Sequence, residues 1–318
     1  NSGISYWHSI DTSFKTPKTD FYFTLRSPLA NQSAVNVALT ALYVKSVNEQ
    51  LNEFSYPASL AGLGYQLYPH VRGISVRISG YNDKQPRLLE EILTALTNPA
   101  IDTAFNRHKE ELLRSWNNAL KQKPYNQSLS KTSQLITSPS WSEVQLIEAL
   151  KPLQADDLQQ FSQRFLQQLA LEVLGNGNIS DQEMSRRVQQ LENGLTQQRP
   201  VQAIARPQVR KLPTKQNLLY PFEVKHNDNA VTQYIQGESK DIATRARFAL
   251  FNQILSTPFF HELRTRQQLG YIVFSSPMSL LDVPALSFTV QSPNSSPEKI
   301  VSAIDDFIAE GSNILNGL

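Results

Sequence analysis

The sequence contains no cysteine among its 318 residues. This absence excludes disulfide bonds, thiol catalysis and zinc sites with cysteine ligands. No run of apolar residues approaches the roughly 18 that a membrane-spanning helix requires, so no membrane span is predicted. The composition, 40% hydrophobic and 18% charged, is typical of a globular protein with a substantial core.

An excess of charge of either sign is also missing. The chain has 30 lysines and arginines against 28 aspartates and glutamates, which gives a formal net charge of +2. Consecutive basic residues interleaved with aromatic residues, the pattern of a nucleic-acid groove, do not occur. We therefore predict no nucleic-acid partner.

Two common kinds of catalytic motif are absent as well. The sequence has no Gly-x-Ser-x-Gly elbow, and no histidine is placed by sequence to serve a nucleophilic serine. The Gly-Asn-Gly triplet at 175–177 lacks the further glycine and the lysine of the phosphate-binding loops, and it is better interpreted as a turn.

Two segments resemble helical zinc motifs, but each lacks the second histidine. A helical zinc site needs two histidines four residues apart, so that both face the same side. The motif that begins at His261 has Thr265 where the second histidine should stand, and the one that begins at His108 has Leu112 there. We predict no metal ligand in this chain, and we interpret His108 as a solvated helix residue.

Hydrophobic periodicity predicts a repeated arrangement of strands and helices. Alternating apolar residues in 20–26 predict a strand, and apolar residues three or four apart in 32–54 predict a helix. The triplet Leu-Gly-Tyr opens a predicted strand at 63–65 and again at 269–271. Because the order of the surrounding elements also recurs, we predict a duplication.

The predicted fold class is α+β, with two related units that each place helices on one face of a mostly antiparallel sheet. The first domain is predicted over 1–195, and a polar, proline-containing linker over 196–217. The second domain, 218–318, would open with a strand near 218–226 and is a truncated copy of the first. Its sheet face would lack cover, which predicts an exposed apolar surface or packing against a neighbour.

The segment most suggestive of chemistry is 259–275, which is predicted to contain a helix end, a polar turn and a strand. Arg264 offers five donors and a permanent charge, and Tyr271 offers a phenolic donor. Two such donors can converge on one carbonyl or oxyanion oxygen. The alternative is a surface ion pair beside a half-buried strand tyrosine.

Three segments, 61–65, 80–86 and 263–275, resemble the C-terminal half of the M16 (insulysin/pitrilysin) zinc metallopeptidases. The resemblance covers the whole chain, and it implies that the two domains are the third and fourth of a longer enzyme. It also implies that zinc is bound by an HxxEH motif in the N-terminal half of that enzyme, which this chain does not contain.

By the same resemblance, Arg264 and Tyr271 would hydrogen-bond the carbonyl of the peptide bond that is cleaved. Phe260 would help to form the pocket for the side chain that follows this bond, although ordinary core packing is an equal alternative for it. The chain would then be an inactive fragment that forms a chamber wall. Its partners would be the peptide substrate and the catalytic N-terminal half.

A second function is also compatible with the sequence, namely a scaffold or peptide-binding subunit that has lost the metal motif. Retention of the pair Arg264 and Tyr271 argues against this alternative. Family analogy favours a periplasmic location if the protein is bacterial, with a cytosolic location as the alternative.

Overall fold

The computed structural model of the protein describes residues 4–13, 15–195, 204, 206–214 and 216–316. The chain divides into two compact units. The first unit contains Asn1–Trp116 and Glu143–Arg206, and the second contains Asn117–Ser142 and Pro207–Leu318. Each unit combines helices with a largely antiparallel sheet, which confirms the predicted α+β class.

In chain order, the strands and helices are β1 (Ile4–Ile10), β2 (Lys18–Arg26), α1 (Ala34–Leu60), β3 (Leu63–His70), β4 (Gly73–Tyr81), α2 (Gln85–Thr97), α3 (Phe105–Ala119), α4 (Pro124–Ile136), β5 (Thr137–Ser138), α5 (Glu143–Leu150), α6 (Ala155–Leu166), β6 (Ala170–Gly177), α7 (Asp181–Leu195), β7 (Gln208–Val209), β8 (Asn229–Gln236), α8 (Ile242–Phe260), β9 (Ile272–Pro277), β10 (Ala285–Ser292) and α9 (Pro297–Asn316). Among the described helices, none is long and apolar enough to cross a membrane.

The first unit is built on a sheet with strand order β1-β6-β2-β4-β3, in which β1 and β6 run parallel and the other neighbours antiparallel. The period of two along β2 directs Phe21, Phe23 and Leu25 into the core, where each is at most 1% exposed. Side chains of α1, α2, α6 and α7 complete this core. Full burial of one such side chain contributes about 1.5–3 kcal/mol, so this face of the sheet dominates the unit's stability.

The second unit is built on a three-stranded antiparallel sheet with strand order β8-β10-β9. Helices α8 and α9 cover one face of it through an aromatic cluster. Phe259 at the end of α8 is fully buried, with ring centroids 5.0 Å from Phe288 and 5.1 Å from Phe307. This cluster holds the end of α8 against the sheet.

The other face of β10 is polar but equally buried. Ser287, Thr289 and Gln291 are each 0% exposed, and α4 packs against β8 and β10. The hydroxyls of Ser287 and Thr289 lie 3.0 Å and 3.2 Å from those of Ser276 and Thr232. Each buried hydroxyl therefore has a partner, as buried polar groups require.

The connectivity of the second unit repeats part of the first. Strands β8, β10 and β9 are ordered as β2, β4 and β3 are. Helix α8 lies between β8 and β9 in sequence, as α1 lies between β2 and β3, and α9 follows β10 as α2 follows β4. The two units are therefore related in the way the sequence predicted.

The division into units differs from the predicted boundary at 195 because Asn117–Ser142 groups with the second unit. Helix α4, which lies in this segment, covers β8 and β10 rather than the first sheet.

The prediction of a strand near 218–226 is wrong. The apolar alternation in this segment finds no partner strand. Leu218 and Leu219 lie outside any strand and are 67% and 79% exposed. These exposed side chains lie outside the sheet, and the sheet face that was expected to lack cover is packed against α8 and α9.

The predicted linker, 196–217, is described only in part, because residues 196–203, 205 and 215 lie outside the described residues. The remainder includes β7, which pairs with β5. The amide of Leu212 also donates to the side-chain oxygen of Gln236 at 2.9 Å. This part of the predicted linker is therefore fixed within the second unit.

Candidate functional site

The candidate site lies where α8 ends and β9 begins. After Phe260 the helix widens into a π turn, His261–Arg266, in which Leu263 is fully buried in the second core. The amide of Leu269 donates to the carbonyl oxygen of Leu263 at 3.0 Å, and Gln268 adopts a left-handed conformation with φ 52°. Two buried leucines thus anchor a turn whose polar side chains are exposed.

Gly270 allows this turn to approach the central strand of the sheet. A Cβ atom at this position would lie 2.0 Å from the carbonyl oxygen of Gln291, which is much too close for any side chain. Glycine is therefore required for the close approach of the two backbones. The contact places the next residue, Tyr271, beside the end of β10.

Arg264 is exposed and makes two contacts within the site. Its Nη1 donates to the backbone oxygen of Tyr271 at 2.5 Å, and its guanidinium lies 5.1 Å from the centroid of the Phe260 ring. A cation at this distance from an aromatic ring is attracted by it. These contacts orient the guanidinium, and most of its five N–H groups stay directed to solvent.

Tyr271 is 50% exposed, but its hydroxyl is held from two sides. The hydroxyl donates to Asp228 Oδ2 at 3.1 Å, and Gln291 Nε2 donates to the same carboxylate at 2.7 Å and to the tyrosine oxygen at 3.3 Å. The Asp228 carboxylate, chiefly by accepting this hydrogen bond, raises the pKa of Tyr271 above its usual value. The phenol is therefore kept protonated.

Gln291 also joins this network to α4. Its Oε1 accepts a hydrogen bond from the backbone amide of Tyr125, in the first turn of that helix, at 3.1 Å. The ring of Tyr125 packs edge-to-face on Phe274 of β9, with centroids 6.0 Å apart. Sequence analysis missed Asp228 and Gln291 because neither belongs to a motif, and only the sheet register brings them to Tyr271.

We expect the Asp228→Asn variant to lower the pKa of Tyr271 toward the ordinary tyrosine value, because the charged acceptor that favours the protonated phenol is gone. NMR titration of ¹³Cζ-labelled tyrosine, with Tyr271→Phe used to assign the signal, measures this change. Asp305→Asn is the control, since Asp305 contacts Gln233 instead. An unchanged pKa in Asp228→Asn would show that the carboxylate does not hold the hydroxyl.

Arg264 contacts Tyr271 at its backbone oxygen, and the side-chain donors of the two residues differ in availability. The single hydroxyl hydrogen of Tyr271 is directed to Asp228, so it has to rotate before it can reach a ligand. Arg264 can donate to a ligand without any such rearrangement. Their joint action on one oxygen stays a prediction.

Phe260 lies at the edge of the same site. It is 42% exposed, whereas the preceding residue, Phe259, is fully buried. The exposed ring is stacked under the guanidinium of Arg264 and belongs to the site rather than to the core. This geometry is compatible with a pocket wall, and that role for Phe260 stays a prediction.

The two incomplete zinc motifs do not fit a metal ion. His108 is 3% exposed, so the prediction that it is solvated is wrong. Burial and the charge of Arg107 lower the pKa of His108, whose Nε2 lies 3.7 Å from Glu49. Arg107 pairs with Glu49 at 2.8 Å, which neutralises the carboxylate that a cation would need.

His261 is exposed, and its neighbour Glu262 is paired with Arg266 at 2.6 Å. Nowhere in the described part of the chain do three or more histidine, aspartate or glutamate side chains form a group that could hold a metal ion. The donors that the structure describes thus offer no zinc site, and we derive no catalytic step through zinc from them.

Two family models match the sequence. Residues 1–149 match the middle or third domain of peptidase M16, and residues 250–318 match the C-terminal lobe domain 4 of PQQ synthase PqqF-like proteins. The second match includes Phe260, Arg264 and Tyr271 of the candidate site.

Several curated proteins are similar along nearly the whole chain. Insulin-degrading enzyme of Homo sapiens is 32% identical over 310 residues, which cover 95% of this chain and 30% of that protein. A nardilysin-like protein of Arabidopsis thaliana is 30% identical over 325 residues, which cover 99% of this chain and 31% of that protein. The chain thus spans about a third of the length of these relatives.

Solved structures with the same fold include pitrilysin, with a TM-score of 0.88 and 21% identity, matched over 100% of this chain and 34% of that chain. An inactive peptidase M16 domain from Pseudomonas fluorescens has a TM-score of 0.64 and 15% identity, over 96% and 76% of the two chains. At these identities the likeness concerns the fold. Together with the family models and the relatives, it shows that the chain belongs to the M16 metallopeptidase family and corresponds to the C-terminal region of its members.

Proposed function

We propose that the chain is the C-terminal, non-zinc-binding part of a zinc metalloendopeptidase that degrades peptides. In this proposal Arg264 and Tyr271 bind the carbonyl oxygen of the peptide bond that is cleaved, and Phe260 forms part of the neighbouring pocket. The observation that carries the proposal is the exposed guanidinium of Arg264, oriented by its hydrogen bond to Tyr271 and its contact with Phe260. Zinc, held by the N-terminal part of the enzyme, would supply Lewis-acid polarisation of the same carbonyl.

The arrangement suits an oxygen that gains negative charge during the reaction. Donors fixed before the reaction stabilise such charge without reorganising, and a permanently charged guanidinium is the strongest donor that the site offers. The Asp228 carboxylate raises the pKa of Tyr271, so the phenol stays protonated and able to donate. Arg264 would thus stabilise the transition state more than the substrate, and Tyr271 would add to this once its hydroxyl hydrogen has turned from Asp228 to the ligand.

The remainder of the chain would form part of a chamber wall around the peptide. Strand β3, an edge strand of the first sheet, includes Tyr68, which is 50% exposed. Such a strand edge presents backbone donors and acceptors that an extended peptide can use. Large folded proteins would be excluded by the size of the closed chamber.

The decisive experiment compares this chain alone with its mixture with the separately produced N-terminal part of the same enzyme. We expect the chain alone to contain no stoichiometric zinc and to leave a fluorogenic peptide uncleaved, because the donors among its described residues do not form a metal site. The mixture should cleave the peptide. Metal analysis and fluorescence measure the two outcomes.

Stoichiometric zinc in the chain alone would contradict the proposal. A zinc-loaded mixture that binds the peptide without cleaving it would instead favour the alternative, a scaffold or peptide-binding subunit. The chain shares its fold with an inactive M16 domain from Pseudomonas fluorescens, which is why this experiment also tests the alternative.

A further inference from the structure

A cluster of basic side chains lies at one end of the first sheet, in the first unit and separate from the candidate site. Arg26 ends β2 and His70 ends β3, and both are paired with Gly73 of β4, which lies between them. Directly paired residues point to the same face of a sheet, so Arg26 and His70 share one face. Arg72 lies in the turn between β3 and β4.

Gly73 lies between the two residues and has no side chain of its own. Its φ is +153°, and a Cβ atom would lie 1.8 Å from the carbonyl oxygen of Leu25, so the position requires glycine. As a result no side chain separates Arg26 from His70 across the central strand.

Three buried N–H donors of this cluster lack a partner among the described residues, namely Nε of Arg26, Nε of Arg72 and Nε2 of His70. The backbone amide of Arg72 donates to His70 Nδ1 at 3.2 Å. Because Nδ1 accepts this bond, the neutral ring carries its hydrogen on Nε2. Buried donors are normally paired, and three unpaired donors in one cluster indicate a site for a shared acceptor.

The charges of the cluster point to the same kind of ligand. The positive charge of Arg206 acts on both Arg26 and Arg72. Among the described residues, the one carboxylate that pairs with these arginines is that of Glu172, which contacts Arg26. Three guanidinium groups against one carboxylate leave an excess of two positive charges. Burial and the neighbouring arginines lower the pKa values of His70 and Arg26, as uncompensated positive charge does.

We propose that Arg26, His70 and Arg72, with the added charge of Arg206, form a binding site for a dianionic oxyanion of the phosphate class. Three side-chain donors, carried by two strands and the turn, suit a ligand with several acceptor oxygens. Guanidinium groups also match phosphate oxygens in geometry. Arg26 is 19% exposed in its side chain and Arg206 is exposed, so the site opens to solvent on one side. The ligand is either free phosphate or a phosphoryl group on a peptide.

Calorimetric titration of the 318-residue chain with inorganic phosphate at low ionic strength tests the proposal. We expect saturable binding to one site, and the Arg72→Gln variant should weaken it by about tenfold or more, since it removes a charged hydrogen bond. Arg72→Lys keeps the charge but loses the Nε donor, and its affinity should fall between those of the other two proteins. Arg107→Gln is the matched control, because Arg107 lies in the same unit but pairs with Glu49 and Glu111.

Thermal melting of each variant establishes that it is folded. Competition by a phosphoserine peptide would assign the site to a phosphorylated peptide, whereas binding of phosphate without such competition would assign it to the free anion. Acetate that binds as tightly as phosphate would overturn the assignment to a dianion. Absence of saturable binding, or equal binding by wild type and Arg72→Gln, would overturn the site itself.

Discussion

Replacement of Arg264 by alanine should lower kcat/KM for peptide cleavage by the zinc-loaded enzyme by about 10²–10³-fold, the usual loss when one oxyanion donor is removed. The guanidinium is exposed, oriented by Tyr271 and Phe260, and able to donate without rearrangement. Because this interaction would strengthen as charge develops on the oxygen, the loss should appear in kcat more than in KM. Steady-state kinetics with a fluorogenic peptide, together with zinc analysis, measures both quantities.

The same turn supplies the control. Arg266 is two residues away, also exposed, and pairs with Glu262 at 2.6 Å, so Arg266→Ala should leave kcat/KM nearly unchanged. Tyr271→Phe should cause a smaller fall, about tenfold, because one hydrogen bond from a neutral donor is lost. Equal kcat/KM values for wild type and Arg264→Ala, at equal zinc content, would contradict the proposed role. Arg264 and Tyr271 would then be structural residues, and this part of the chain would form only a chamber wall.

The second large effect concerns stability. Phe259→Ala should destabilise the second unit by about 3–5 kcal/mol, the usual cost of removing a fully buried phenylalanine from a core. The ring contacts Phe288 and Phe307 at the centre of a small core, so the cavity has few neighbours that could move to fill it. Hydrogen exchange of the β10 amides under native conditions reports on this unit separately.

Phe260→Ala is the matched variant, because it removes the same ring one position along the chain. Its side chain is 42% exposed, so we expect little change in hydrogen exchange but a higher KM for the peptide. A similar loss of protection in both variants would contradict the assignment of one ring to the core and the other to the site. An unchanged KM would remove Phe260 from the peptide pocket.

Local patterns in the sequence predicted most of the elements around the site. The helix end and the polar turn predicted within 259–275 are found as the end of α8 at Phe260 and the turn that follows it. The strand predicted to open at Gly270 begins two residues later, at Ile272. The strand begins later along the chain because the π turn and the left-handed Gln268 lie between α8 and β9. Hydrophobic periodicity predicts neither of these features.

The partners of the site residues could not be predicted in the same way. Asp228 and Gln291 are distant from Tyr271 in sequence and reach it through the register of β8, β10 and β9. Burial of His108 was missed for a related reason, since the residue lies on a largely polar helix and is covered by tertiary packing. Periodicity describes one element at a time, whereas these contacts depend on how elements meet.

The order of α4 along the chain has a consequence for how the protein is made. This helix is synthesised before α5, α6, β6 and α7, all of which belong to the first unit, and only afterwards do β8 and β10 appear. The nascent chain therefore holds α4 without its sheet while the first unit is being completed. A genetic exchange of 218–318 as a continuous segment would leave this helix behind and uncover the polar face of β10.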